Sequence, residues 1–259
     1  MTDFAAGRPG TVAGPAPVPA ADRGSGLVVA VDGPAGAGKS SAARGVARAL
    51  GLRYLDTGAM YRALTWWLLA RQVDVNSPAA VAERVGQARI EVGTDPHAPA
   101  IAVDGADVSG PIRSREVSNA VSAVASVPQV RERLIAMQRE IIATAAQGSG
   151  IVAEGRDIGS VVAPDAPVKV FLTASEEVRA ARRNADLAAD PAATAALTRR
   201  EVARRDRRDA PQTAIAPGAI QIDATALALD EVIARIVTLA RHQPGGAAAS
   251  ARVDGAWTS

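Results

Sequence analysis

The chain has 259 residues, 48% hydrophobic and 22% charged, a globular composition with length for one large domain or a core with insertions. Lys and Arg number 29 against 27 Asp and Glu, so no bulk positive field argues for nucleic acid. The absence of cysteine excludes disulfides and thiolate metal sites and fits a cytoplasmic protein, and no apolar run approaches the length of a membrane span.

Residues 1–26 are rich in Ala, Gly and Pro, lack the continuous apolar core of a signal peptide, and read as a disordered tail. Leu27-Val28-Val29-Ala30-Val31 then predicts a buried strand. Gly33-Pro34-Ala35-Gly36-Ala37-Gly38-Lys39-Ser40 follows and fits G-x-x-x-x-G-K-[ST] at every fixed position. From Ser41 to Leu50 the apolar positions 42, 43, 46, 47 and 50 recur at helical spacing, and Gly51 stops the run. Strand, glycine loop and helix are the context this motif requires. The glycines let backbone N–H groups converge on phosphate oxygens, and the helix N-terminus adds partial positive charge. Lys39 should reach the β- and γ-phosphates, and the Ser40 hydroxyl should sit on Mg²⁺.

Arg53-Tyr54-Leu55 reads as a second strand, and Ala63–Gln72 as an apolar helix. Arg62, a cation near a helix start, suggests an anionic ligand. Pro78 opens a short helix over 79–88. Two β-branched runs, 88–92 and 100–103, flank turns and predict a small antiparallel insert, with His97 a solvated loop residue. Helices are expected over 114–125 and 128–146, with strands at 151–153 and 168–172. Thr173 and Glu176 have capping-box spacing before a helix carrying Arg179, Arg182 and Arg183. After an Ala/Asp/Pro turn region, 197–208 carries Arg199, Arg200, Arg204, Arg205, Arg207 and Arg208. A fifth strand at 219–222 and a helix at 228–240 complete the core, and 242–259 reads as a second disordered tail.

Strands alternating with helices on short loops predict an α/β fold: a five-stranded parallel sheet with helices on both faces. Ligands then lie beyond the strand carboxyl ends. The glycine loop, Asp56-Thr57 and Gly155-Arg156-Asp157 all fall at that edge. A guanine-reading Asn-Lys-x-Asp is absent, and Glu154 ends the third strand where a motor ATPase would carry an Asp. The arginines of 179–208 suit either a solvated hairpin paired with neighbouring acids or a cover closing over polyphosphate. Phosphoryl transfer needs several cations and exclusion of water, which favours the cover. Few aromatics accompany these arginines, so stacking platforms for nucleic acid are missing.

Six blocks resemble bacterial cytidylate kinases, in the same order: Val31–Ser40, Asp56–Arg62, Asp107–Arg113, Val127–Arg131, Gly155–Gly159 and Pro164–Lys169. The similarity covers about residues 27–241. It implies a nucleoside-monophosphate kinase fold, with a monophosphate-binding insert at about 57–127 holding the small antiparallel sheet and a short arginine-rich lid at about 184–200. It implies transfer of the γ-phosphoryl group of ATP to CMP or dCMP, with Mg²⁺, by a monomer that needs neither nucleic acid nor membrane. By the same resemblance Gly33 to Ser41 hold ATP, with Ser41 the last residue of that set. Thr57, Arg62 and Arg156 hold the CMP phosphate, and Ser122, Arg131 and Asp157 face the cytosine. Arg205 and Asp209 lie near the ribose and phosphate, and Lys39, Arg156 and Arg205 are the expected catalytic cations. One departure stands out: the family arginine three residues beyond that Asp is replaced here by Gln212 or Thr213, with Arg207 or Arg208 as candidate substitutes.

Overall fold

The computed structural model describes residues 26–186 and 195–243. The two expected tails lie almost wholly outside the described residues, as do 187–194 of the expected lid and the side chain of Arg205. In chain order the elements are β1 Val28–Asp32, α1 Lys39–Leu50, β2 Arg53–Asp56, α2 Thr57–Ala70, α3 Pro78–Arg84, β3 Ile90–Val92, β4 Ile101–Val103 and β5 Ala106–Asp107, followed by α4 Arg115–Ala125, α5 Pro128–Ala146, β6 Ile151–Gly155, β7 Val168–Thr173, α6 Glu176–Asp186, α7 Ala195–Asp209, β8 Ile220–Asp223 and α8 Leu229–Arg241.

Five strands pair in the order β2-β6-β1-β7-β8, every pair parallel. Successive residues of a strand point to opposite faces. Val29 and Val31 of β1 and Val152 of β6 therefore join one core with α1 and α8. Ala30, Ile151 and Ala153 join another, built with α2 and α5. Both faces are covered, which is why these strands read as continuous apolar runs rather than alternating ones. The strand carboxyl ends and their loops form one rim. The small sheet β3-β4-β5 is antiparallel, as expected for the insert, and packs against α2. Among the described residues no helix is long and apolar enough to cross a membrane.

Several boundaries differ from the sequence reading for identifiable reasons. The α2 helix begins at Thr57, six residues before the expected Ala63, because Asp56 caps it by accepting the Ala59 N–H at 2.8 Å. Arg62 therefore lies in the second turn rather than at the helix start, and the dipole argument does not apply to it. The capping box expected from Thr173 and Glu176 does not form; Thr173 ends β7, and Ser175 accepts the Val178 N–H at 3.3 Å instead. Strand β5 was not foreseen, since two exposed residues carry no periodicity. His97 is exposed, as expected.

Asp104, at the β4–β5 turn, fastens the insert to α2. It accepts Trp67 Nε1–H at 2.6 Å, the Arg89 N–H at 2.9 Å and Arg71 Nη2 at 3.0 Å, while the Arg71 guanidinium lies 4.0 Å from the Trp67 ring centre. These donors, led by the Arg89 N–H, hold its carboxyl below the ordinary value. A depressed carboxylate contributes stability above its unfolded pKa and loses it as pH falls through the folded one. Asp104→Asn should lower the melting temperature at pH 7, and the gap to wild type should narrow as the solution is acidified. A gap independent of pH would show that charge at Asp104 does not fasten the insert.

Candidate active site

A cleft of about 850 Å³ opens along the carboxyl rim of the sheet. Its donor end is the glycine loop between β1 and α1. Gly33 has φ 146°, and a Cβ there would stand 2.0 Å from the Leu172 carbonyl oxygen, so no other residue fits. At Gly36, with φ 76°, a Cβ would meet the Arg179 carbonyl oxygen at 2.7 Å. The α6 helix thus lies directly against the loop. Its arginines hold the loop's carbonyls: Arg179 Nη1 donates to Ala35 O and Arg182 Nη1 to Ala37 O, each at 3.1 Å. Carbonyls held from behind leave the N–H side of the loop for phosphate oxygens. Residues Ala35 to Ser41 line the cleft; Gly33 and Pro34, expected with them, do not. Their carbonyls serve instead as internal acceptors, Gly33 O from Arg156 Nη1 at 3.0 Å and Pro34 O from Lys39 Nζ at 2.9 Å. Lys39 is buried within the loop it serves.

Glu154 lies inside β6, beside Asp56 of β2 in the parallel register, and is buried. Tyr54 Oη donates to its Oε1 at 2.9 Å. Burial and then the neighbouring Asp56 charge push its carboxyl up to about 7, while Lys39 and the Ser40 hydroxyl oppose the rise. Ser40 Oγ, buried Glu154 and half-buried Asp56 form a set of hard oxygen donors beside the phosphate loop, and the charge between the two carboxylates is what a small divalent cation relieves.

The cleft is lined further by Thr57, Arg62, Ser122, Arg131, Arg156, Asp157 and Asp209. All the acceptor residues expected from the resemblance converge here, except Arg205, whose side chain lies outside the described residues. Thr57 Oγ1 donates to Glu154 O at 2.7 Å. Arg131 Nη2 pairs with Asp157 Oδ2 at 2.5 Å. Arg156 donates through Nε and Nη2 to Asp209 Oδ2, both at 3.2 Å, and Ser122 Oγ donates to Asp209 Oδ1 at 2.9 Å. Arg62 Nη1 donates to Ser118 Oγ at 2.9 Å and Ile112 O at 3.2 Å. Burial, followed by the nearby Arg183 charge, lowers its guanidinium to about 10.

The profile of the cytidylate kinase family matches residues 29–242, spanning both ends of this cleft. The chain belongs to the cytidylate kinase family. Curated relatives of that name include one from Streptomyces griseus, 52% identical over 217 residues, covering 83% of this chain and 93% of its own. The cytidylate kinase of Streptomyces coelicolor is 51% identical over 222 residues, 85% of this chain and 95% of its own. That of Mycobacterium leprae is 46% identical over 225 residues, 85% and 97% respectively.

Within the family framework, this chain's arginines divide by direction. Arg207 and Arg208, considered as substitutes for the arginine missing at Gln212 or Thr213, are exposed and are not among the cleft's walls; Gln212 is. Arg199, Arg200 and Arg204 are exposed as well. The acids of α7 turn inward instead, Glu201 to Arg115 at 3.1 Å and Asp206 to Arg179 at 2.5 Å. Cations reach the cleft from α6, through Arg182 and Arg183, and from Arg113 ahead of α4. Arg113 stands in a family block without an assigned role. Ser118 carried no signal, being a serine in mid-helix.

Proposed function

We propose that this chain transfers the γ-phosphoryl group of ATP to CMP or dCMP through the residues assembled along this cleft. The observation that carries the proposal is the juxtaposition of a complete phosphate loop with a separate set of acceptor side chains in one cavity. Family membership names the reaction class, and the geometry supplies roles for individual groups.

The loop from Ala35 to Ser41 takes the donor polyphosphate on its N–H groups. Lys39 directs an ammonium at the phosphates from within the loop. Ser40 would hold Mg²⁺, with Glu154 and Asp56 behind it; when bound, the ion neutralises donor phosphate charge. Thr57, Arg62 and Arg156 hold the acceptor phosphate. The nucleophile is an oxygen of that phosphate, already anionic at neutral pH, so no strong general base is needed. Catalysis is then in-line positioning and charge neutralisation. Arg156 suits this work because it also binds Gly33 O, tying acceptor side to donor loop.

Base choice follows from donor and acceptor chemistry. Cytosine presents an amino donor and an unprotonated ring acceptor where uracil presents a carbonyl and an N–H. Asp157 offers an acceptor, Arg131 donors, and Ser122 either. The Arg131–Asp157 pair and the bond from Ser122 to Asp209 keep them oriented before substrate arrives.

Lys39→Met should keep the aliphatic packing and abolish turnover, a loss of several kcal/mol in transition-state stabilisation being typical of such a group. Near-normal kcat with unchanged melting temperature would contradict the donor assignment. Arg131→Met should lower kcat/KM for CMP about 10- to 100-fold, from an unpaired polar contact worth about 1–3 kcal/mol, and should narrow the preference for CMP over UMP. Equal losses for CMP and UMP would place base recognition elsewhere.

A further inference from the structure

Ser118 of α4 is buried at the acceptor end, and three helices meet at its hydroxyl. Arg62 Nη1 of α2 donates to Oγ at 2.9 Å, and Arg183 Nη2 of α6 donates to the same oxygen at 3.0 Å. Two guanidiniums on one oxygen stand close enough to repel. The effect registers on Arg62, where Arg183 is the largest charge contribution to its lowered proton affinity, with Arg156 and Arg113 adding and Asp56 opposing. A neutral hydroxyl is a weak acceptor for two cations, and an anionic oxygen is a strong one. Arg62 is anchored on its other side by Ile112 O, so its head is fixed beside the place where Arg183 arrives. Arg182, the preceding residue on α6, donates to Ala37 O of the donor loop and to Ala224 O. Consecutive arginines of one helix therefore serve the two halves of the cleft.

We propose that Ser118 is a positioning residue for the acceptor phosphate, its hydroxyl holding Arg62 and Arg183 side by side so that one phosphate oxygen can receive both guanidiniums. The proposal rests on the reading of this end of the cleft as the acceptor site. It adds Arg183 to the phosphate-binding groups and brings a cation from α6 into a cleft where Gln212 or Thr213 stands in place of an arginine of the family pattern. Without the hydroxyl, like-charge repulsion separates the pair, and an incoming phosphate must reassemble it. Ser118 touches neither the glycine loop nor the base-facing set in any described hydrogen bond, so the effect is confined to acceptor binding.

The test compares wild type, Ser118→Ala, Arg183→Met and the double variant, measuring kcat, KM for CMP, KM for ATP and melting temperature. Ser118→Ala should raise KM for CMP and lower kcat/KM for CMP about 10-fold, the range of one lost hydrogen bond to a charged group. KM for ATP and the melting temperature should hold. The double variant should lose less than the product of the two single losses, because Ser118 acts partly through Arg183. Wild-type CMP kinetics in Ser118→Ala, a parallel loss for CMP and ATP with reduced melting temperature, or multiplying losses in the double variant would each overturn the proposal. Wild-type turnover of CMP, measured in the same assay, separates this outcome from failure of the acceptor-site reading itself.

Discussion

Asp32 closes β1 with a carboxylate that is 3% exposed, and both of its oxygens are used. Oδ1 accepts the Ile158 N–H and Oδ2 the Gly159 N–H, each at 2.8 Å. Burial raises its pKa, and these two backbone donors resist that rise. The residue after it is Gly33, the first of the glycine loop; the residues before Ile158 are Arg156 and Asp157, both in the cleft wall. One buried carboxylate thus fixes the start of the glycine loop against the segment after β6 that carries Arg156 and Asp157. A parallel sheet makes this possible, because β1 and β6 are adjacent and end at the same rim.

Around that fixed point the cleft is lined by paired opposite charges. Arg156 and Asp209, Arg131 and Asp157, and Arg115 and Glu201 are all pairs of limited exposure. Burying a lone guanidinium is costly, and a carboxylate partner offsets that cost while leaving the head in place. The same economy explains the α7 helix. Its acids Glu201 and Asp206 face inward to Arg115 and Arg179, while Arg199, Arg200, Arg204, Arg207 and Arg208 are exposed. Arg179 is structural in this arrangement, holding Ala174 O, Ala35 O and Asp206 together.

Much of this could be read from the chain. The apolar runs at 27–31 and 151–153 announced strands buried on both faces, and the loop from Gly33 to Ser40 stood out by its fixed residues. Ser122, Arg131 and Asp157, singled out by resemblance, all line the cleft. What could not be read depends on long-range contacts. Asp32 meets the backbone of residues more than a hundred positions away, which no local pattern encodes. Ser118 acquires meaning only when α2 and α6 arrive with Arg62 and Arg183. The arginines of 179–208 looked equivalent in sequence; helix phase and docking assign Arg179 to the core, Arg182 and Arg183 to the cleft, and Arg199, Arg200, Arg204, Arg207 and Arg208 to the surface.

The central claim is that one cleft pairs an ATP loop with a cytosine-reading acceptor site. It is tested most directly by ADP release from the full chain with ATP and Mg²⁺, comparing kcat/KM across CMP, dCMP, UMP, AMP and GMP. The account predicts that CMP and dCMP lead the series, with UMP lower by at least ~10-fold, the discrimination that mispaired buried polar groups impose. A purine monophosphate or UMP used as well as CMP would contradict it.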